Sequence, residues 1–246
     1  MSEEESEKKI EFRYDYELLA DDYPIYDLQF KMIVLGDSGV GKSSLTNKAV
    51  KDNFSNKFLP TVGFEFFTFI VKINDKIIKL HIWDTCGQEL YRSLVTNFYK
   101  NCSLAILVYA INNSESFQNV SLWLKDLKIN SNPDSKIFLI GNKCDLIDER
   151  KISYEEGEKL SKDFEFEFFS ETSAKTGFHA KEILIKAAMC LYEDYILYKQ
   201  NNEIDKESNF NMSSMDNMNE SNVIVIDKKK HTDTIKQNLT KKRNWC

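Results

Sequence analysis

Proline is scarce, three residues in a chain of 246, which suits a protein given over to helix and strand. No window is long and apolar enough to cross a bilayer as a helix. Ser2 stands where N-myristoylation needs glycine. A basic stripe is missing too: 39 acidic side chains outnumber 33 basic ones for a net charge of -6, which argues against a nucleic-acid surface. The five cysteines are odd in number and lack metal-type spacing. With no secretory leader in view, Cys86, Cys102, Cys144, Cys190 and Cys246 read as reduced thiols of a cytosolic protein. What is present suffices for a buried core, 42% hydrophobic and 13% aromatic residues, and the length allows one ordinary domain with tails or two small ones.

The chain is organised around Gly36-Asp37-Ser38-Gly39-Val40-Gly41-Lys42-Ser43, with Ser44 following. This fits G-x-x-x-x-G-K-[ST], a loop whose backbone amides wrap the phosphates of a nucleoside triphosphate. Gly39 and Gly41 leave the loop free to turn without a Cβ in the way of an anion. Lys42 is expected to reach the β- and γ-phosphates, and Ser43 to offer its hydroxyl to Mg²⁺. Phe30–Leu35 reads as a buried strand entering the loop, and Lys42–Lys51 as the helix leaving it, which aims a helix N-terminus at phosphate. The loop alone does not tell ATP from GTP.

Residues 1–27 read as an acidic, disordered lead-in, although Tyr14–Tyr26 carries aromatics that could dock on the back of the domain. Residues 28–200 read as the folded domain. Phe64–Ile73 and Lys76–Trp83 form a hairpin about Asn74-Asp75, and a short helix follows over Tyr91–Lys100. Leu104–Tyr109 is a continuous apolar run, as a central parallel strand should be. Ser114 caps a helix carrying Phe117, Val120, Trp123 and Leu127. Lys136–Ile140 is another strand, Ser153 opens a capping box, Phe166–Phe169 is the last strand, and a helix from about His179 to Lys199 closes the fold. Residues 201–246 read as a disordered tail with basic clusters. The expectation is an α/β three-layer sandwich of the P-loop NTPase type, with a mostly parallel six-stranded sheet, one antiparallel edge strand and helices on both faces. Each polar motif follows a strand, so all should meet on one rim.

On that rim, Asn142-Lys143-Cys144-Asp145 reads as N-K-x-D. A carboxylate at Asp145 can accept from the N1–H and N2 amino group of guanine, a donor pair that adenine lacks. Lys143 can lie along the base, Phe54 can meet it from the other side, and Ser173-Ala174-Lys175 offers the Ala174 amide to O6. Asp84, at a strand end, is placed to hold Mg²⁺ through water, Thr61 to add a hydroxyl to Mg²⁺, Gly87 an amide near the γ-phosphate, and Gln88 to orient an attacking water. Contacts that exist only with the γ-phosphate would be released on hydrolysis.

Together these residues resemble the Ras superfamily of small GTPases, and within it the Rab family, over about Phe30–Lys199. Further similarities are Val62-Gly63-Phe64-Glu65-Phe66, Lys79-Leu80-His81-Ile82-Trp83, Tyr91-Arg92-Ser93-Leu94 and Phe98-Tyr99-Lys100-Asn101. The resemblance implies GTP/GDP and Mg²⁺ as ligands, catalytic roles for Lys42 and Gln88, and a slow GTP hydrolase acting as a membrane-associated switch in vesicle trafficking. It implies an effector face at Phe66, Trp83 and Phe98. It also implies an exchange factor, a GTPase-activating protein, and escort and GDP-dissociation-inhibitor-type partners. The lone terminal Cys246, behind Lys228-Lys229-Lys230 and Lys241-Lys242-Arg243, resembles a geranylgeranylated Rab end. Two departures stand out. Cys86 occupies the place of a usual Ala, so Cys86→Ala is expected to change intrinsic hydrolysis, and Leu90 replaces a usual Arg. A GTP-binding scaffold with little hydrolysis, or another signalling switch of the superfamily, is the alternative.

Overall fold

The structure, a computed structural model, describes residues 9–56, 61, 63–85 and 98–209. Its centre is a seven-stranded sheet. The strands are β1 (Tyr16–Leu19), β2 (Leu28–Leu35), β3 (Phe64–Ile73), β4 (Lys76–Thr85), β5 (Leu104–Ala110), β6 (Lys136–Asn142) and β7 (Phe168–Thr172), in the order β1-β3-β4-β2-β5-β6-β7. The helices are α1 (Lys42–Lys51), α2 (Ser114–Gln118), α3 (Val120–Asn130), α4 (Tyr154–Asp163) and α5 (Glu182–Asn209). The helix expected over 91–100 lies outside the described residues except for its end at Phe98 and Tyr99.

Alternation along the strands divides the core into two. Leu104, Ile106 and Val108 of β5 face α1 and α5 together with Leu45, Ala49, Ile183, Ala187 and Leu191. Ala105, Leu107 and Tyr109 face the other way, onto Val120, Trp123, Leu124 and Leu127 of α3. A strand apolar on both faces is what a central parallel strand needs, and all seven residues of β5 are buried. The α/β class read from the sequence holds.

Two corrections concern the edge. The sheet has seven strands rather than six, because the segment read as a disordered lead-in supplies β1. Tyr16 pairs with Ile73 and Leu19 with Ile70, antiparallel. β3 therefore lies one place in from the edge and is antiparallel to both neighbours. The physical reason is side-chain docking: Ile10, Phe12 and Tyr14 pack on the α1/α5 core. Tyr14 meets Tyr192 edge-on with 5.5 Å between ring centroids, and Arg13 pairs with Glu193 at 3.0 Å. The last helix also runs past residue 200, through Glu182–Asn209. Local expectations fare well elsewhere. Asn74 turns the β3–β4 hairpin with φ 53, and Ser153 and Glu156 form the reciprocal capping box of α4. The cap of α2 is Asn113 rather than Ser114, its side chain accepting from Ser116 N–H.

Candidate nucleotide site

The chain leaves β2 to one side for β3 and β4 and to the other for β5, β6 and β7. That reversal opens a crevice at the carboxyl ends of the parallel strands, and the sequence motifs fall into it. The phosphate loop follows β2 and ends at Gly41, whose φ of 95 is left-handed. A Cβ there would lie 2.5 Å from Asn142 Nδ2, so glycine admits both the turn and the close approach. The helix α1 has no side-chain cap at its N-terminus and no acidic residue in its first turn, while Lys48 and Lys51 occupy its last. Its first N–H groups and dipole are thus left for an anion.

Lys42 is buried, 5% exposed, and its ammonium donates to the carbonyls of Gly36 and Asp37, both at 2.8 Å. The side chain is thereby folded back over the loop, in reach of whatever the loop encloses. Ser43 Oγ donates to Asp84 Oδ2 and lies 2.6 Å from Thr61 Oγ1. Asp84 is fully buried. Burial pushes its carboxyl up to about 6, against the lowering effects of the Ser43 hydrogen bond and the Lys42 charge. Its Oδ1 is buried with no hydrogen-bond partner. Two hydroxyls and a buried carboxylate with an orphaned oxygen form a hard-oxygen set that suits Mg²⁺, and a cation beside it would relieve the desolvation that raises Asp84. The residues therefore fit the metal.

The second half of the site is built on β6 and β7. Asn142 is fully buried and works as a strut. Its Nδ2 donates to Val40 O at 2.9 Å, and its Oδ1 accepts from Thr172 Oγ1 at 3.2 Å and Ala174 N–H at 3.3 Å. It thereby ties the phosphate loop to the loop after β7. Lys143, with φ 66, stretches its ammonium to Gly39 O at 2.6 Å. Burial lowers its pKa, opposed by Asp145 and Glu149. Asp145 Oδ1 accepts from Ser173 Oγ at 2.6 Å, and Lys175 Nζ stands 3.9 Å from Oδ2. The Ala174 amide is already engaged by Asn142, so a base oxygen would have to share or take over that long bond. Phe54 lies just beyond α1, half-buried against the core. Ser38 and Gly39 are exposed at the loop tip, and Ser44 is half-buried at the start of α1. Gly87, Gln88, Cys86, Leu90 and Cys246 lie outside the described residues.

Sequence reasoning missed several members. Arg150 donates twice to the Glu171 carboxylate, at 2.6 and 2.7 Å, pinning β7 to the loop after β6. Phe64 joins the expected Phe66, Trp83 and Phe98. Its ring centroid lies 4.7 Å from Phe98 and 5.2 Å from Trp83, and Phe66 lies 5.1 Å from Trp83. Phe64 and Phe66 are 48% and 47% exposed, and the two-residue alternation of β3 was the available signal. Asn119 and Trp123 contact the phosphate loop itself, and no sequence spacing announces that.

A glycine loop on a helix N-terminus, a lysine folded over it, a hard-oxygen cluster and an N-K-x-D carboxylate at one crevice define a P-loop nucleotide-binding α/β protein. The Ras family model matches residues 31–193. The chain is 38% identical over 183 residues to the Ras-related protein Rab-10 of Diplobatis ommata, covering 74% of this chain and 89% of that one. It is 39% identical over 170 residues to the Ras-related protein Rab-13 of Bos taurus, covering 66% and 83%. The chain belongs to the Ras family and is a Rab-like small GTPase, a guanine-nucleotide-binding GTP hydrolase.

Proposed function

We propose that the protein is a membrane-associated molecular switch of vesicle trafficking, cycling between GTP- and GDP-bound forms. The observation that carries this is the Ser43–Thr61–Asp84 cluster. Thr61 sits three residues before the exposed aromatic strand end of β3, and its hydroxyl reaches the phosphate-loop serine at 2.6 Å. A group sensing the γ-phosphate and its metal is thus in covalent continuity with the Phe64, Phe66, Trp83 and Phe98 surface that effectors would read.

In this reading Ser43, Thr61 and Asp84, the last through water, hold Mg²⁺, which when bound neutralises phosphate charge. Lys42 leaves its two loop carbonyls for the β- and γ-phosphates. The amides of Gly36–Ser44 and Gly87 surround the phosphates, Gln88 orients the attacking water, and Lys143, Phe54, Asp145 and the Ala174 amide select guanine. Hydrolysis is slow alone, on the order of 10⁻⁴ per second, and rises up to about 10⁵-fold with a partner's arginine. An exchange factor, an activating protein, effectors and an escort and GDP-dissociation-inhibitor-type pair complete the cycle. Cys246, lipidated, and the basic tail supply the membrane contact. Among the described residues no helix is long and apolar enough to cross a membrane.

Fluorescent-nucleotide titration tests the site: guanine nucleotides are expected to bind, adenine nucleotides not, and Asp145→Asn to weaken guanine and admit xanthine. Single-turnover phosphate release should fall to background in Gln88→Leu under stimulation by an activating protein. Equal affinity for ATP and GTP would overturn the reading. Mass spectrometry of protein from its own cells, showing an unmodified Cys246, would remove the membrane anchor.

A further inference from the structure

Asp37 belongs to the phosphate loop, and its carboxylate has a pair of side-chain donors from outside the loop. Asn119 Nδ2 donates to Oδ2 and Trp123 Nε1 donates to Oδ1, both at 2.8 Å. The two donors lie 82 and 86 residues downstream, one turn apart at the start of α3, so they face the same way. Trp123 is 3% exposed and its ring belongs to the core beneath α3, which makes the indole N–H a fixed post. Asn119 occupies the N-cap of α3 but makes no side-chain cap bond. An asparagine there ordinarily accepts from the helix's own N–H groups. Here its amide instead donates to the loop.

A carboxylate beside the place of a triphosphate repels it. Asp37 is thus poorly suited to binding phosphate with its side chain and well suited to fixing the backbone. The loop amides must converge on an anion, and a loop held in shape beforehand loses less freedom when the anion arrives.

We propose that Asp37, Asn119 and Trp123 form a positioning triad that clamps the phosphate loop to α3 and so sets how long the protein holds its nucleotide. The inference rests on the loop being the nucleotide site. Asp37 acts here as a positioning residue, through the amides that follow it. The clamp grips GDP and GTP alike and is indifferent to the base.

The test uses the full chain loaded with GDP. Asp37→Asn turns one acceptor into an amide group facing the Asn119 amide. It is expected to speed GDP release about tenfold, the effect of losing one charge-assisted hydrogen bond, with guanine-over-adenine preference unchanged. Adding Asn119→Asp inverts the pair: the amide of residue 37 then donates to the new carboxylate and still accepts from Trp123. This double variant is expected to return to within about threefold of the original rate. In parallel, the Trp123 indole N–H should exchange slowly with solvent in the original protein and quickly in Asp37→Ala, which removes the carboxylate acceptor. Unchanged release in Asp37→Asn, or a double variant as fast as the single, would overturn the triad. Failure of the unaltered protein to bind any guanine nucleotide would overturn the site instead, and indole exchange would still report on the clamp.

Discussion

At the scale of the residue, side chains paired with one another hold the site together. Arg150 and Glu171 are the plainest pair, 23% and 8% exposed at the side chain and joined by two short bonds. Glu171 stands one residue before Thr172, which supports Asn142. Removing one partner of a buried pair strands the other charge. Arg150→Ala is expected to cost about 3 kcal/mol in urea unfolding and to loosen guanine more than Arg150→Lys, which keeps the charge and loses the fork. The described cysteines carry a pH prediction. Burial pushes the Cys102, Cys144 and Cys190 thiols up to about 12. A raised thiol pKa keeps the proton on sulfur, so at pH 8 only about one in 10⁴ is thiolate. Peptide mapping after iodoacetamide should find all three largely unlabelled in the native protein and labelled in urea, with labelling rising as pH climbs toward 12.

At the scale of the element, the segment before β2 converts an acidic lead-in into part of the sheet. Tyr16 and Leu18 stay 40% exposed, while Ile10, Phe12 and Tyr14 pack on the core. The Tyr14–Tyr192 contact ties it to α5, and Lys186 Nζ donates to Glu11 O at 3.3 Å. Covering the outer edge of β3 also blunts a strand that would otherwise offer unpaired backbone groups. A chain starting at Asp27 is expected to lose roughly 2–4 kcal/mol of stability, from lost aromatic burial, and to self-associate more at raised concentration. Urea unfolding and light scattering read the two effects. Tyr14→Ala should reproduce a part of the first and little of the second, because it leaves the β1 backbone pairing in place. Short polar and charged segments read as disordered by composition. What composition does not convey is that every second residue from Ile10 to Tyr14 meets a waiting apolar surface.

At the scale of the whole molecule, the Ser43–Thr61–Asp84 cluster and the loops after β6 and β7, proposed to hold the metal and to select the base, lie at the same rim because the sheet order reverses at β2. The strut Asn142 joins them directly, so occupancy of one half should stiffen the other. Saturating GDP with Mg²⁺, at about 1,000 times the dissociation constant, is expected to stabilise the fold by about 4 kcal/mol. Chelating the metal should return much of that gain and speed nucleotide release. Thermal unfolding at matched protein concentration measures the first and fluorescent GDP release the second. Asn142→Ala is expected to weaken both effects together, since it removes the tie between the phosphate loop and the loop after β7.

Much of this was legible in the chain because it is written locally. The phosphate loop, N-K-x-D and the capping box at Ser153 are patterns of a few residues whose spacing encodes their backbone shape. The apolar runs of β5 and β6 announce burial on both faces without any knowledge of what covers them. The missed features share one property, a partner far along the sequence. Phe64 becomes a member of the aromatic surface only once β4 and Phe98 are set beside it. Arg150 reads as one basic residue in a polar loop until β7 brings Glu171 to it. Trp123 reads as one residue of an inward helix face, and Asn119 carries no signal, until the fold carries Asp37 to them.

The sequence by itself determined the fold class, the nucleotide loops and the family, because local hydrogen bonding and periodic burial suffice to specify each. Only the tertiary structure decided which carboxylate is orphaned, which asparagine braces two loops and whether the N-terminal segment joins the sheet. Those outcomes depend on desolvation and on contacts between distant stretches, quantities that exist only after the chain has folded.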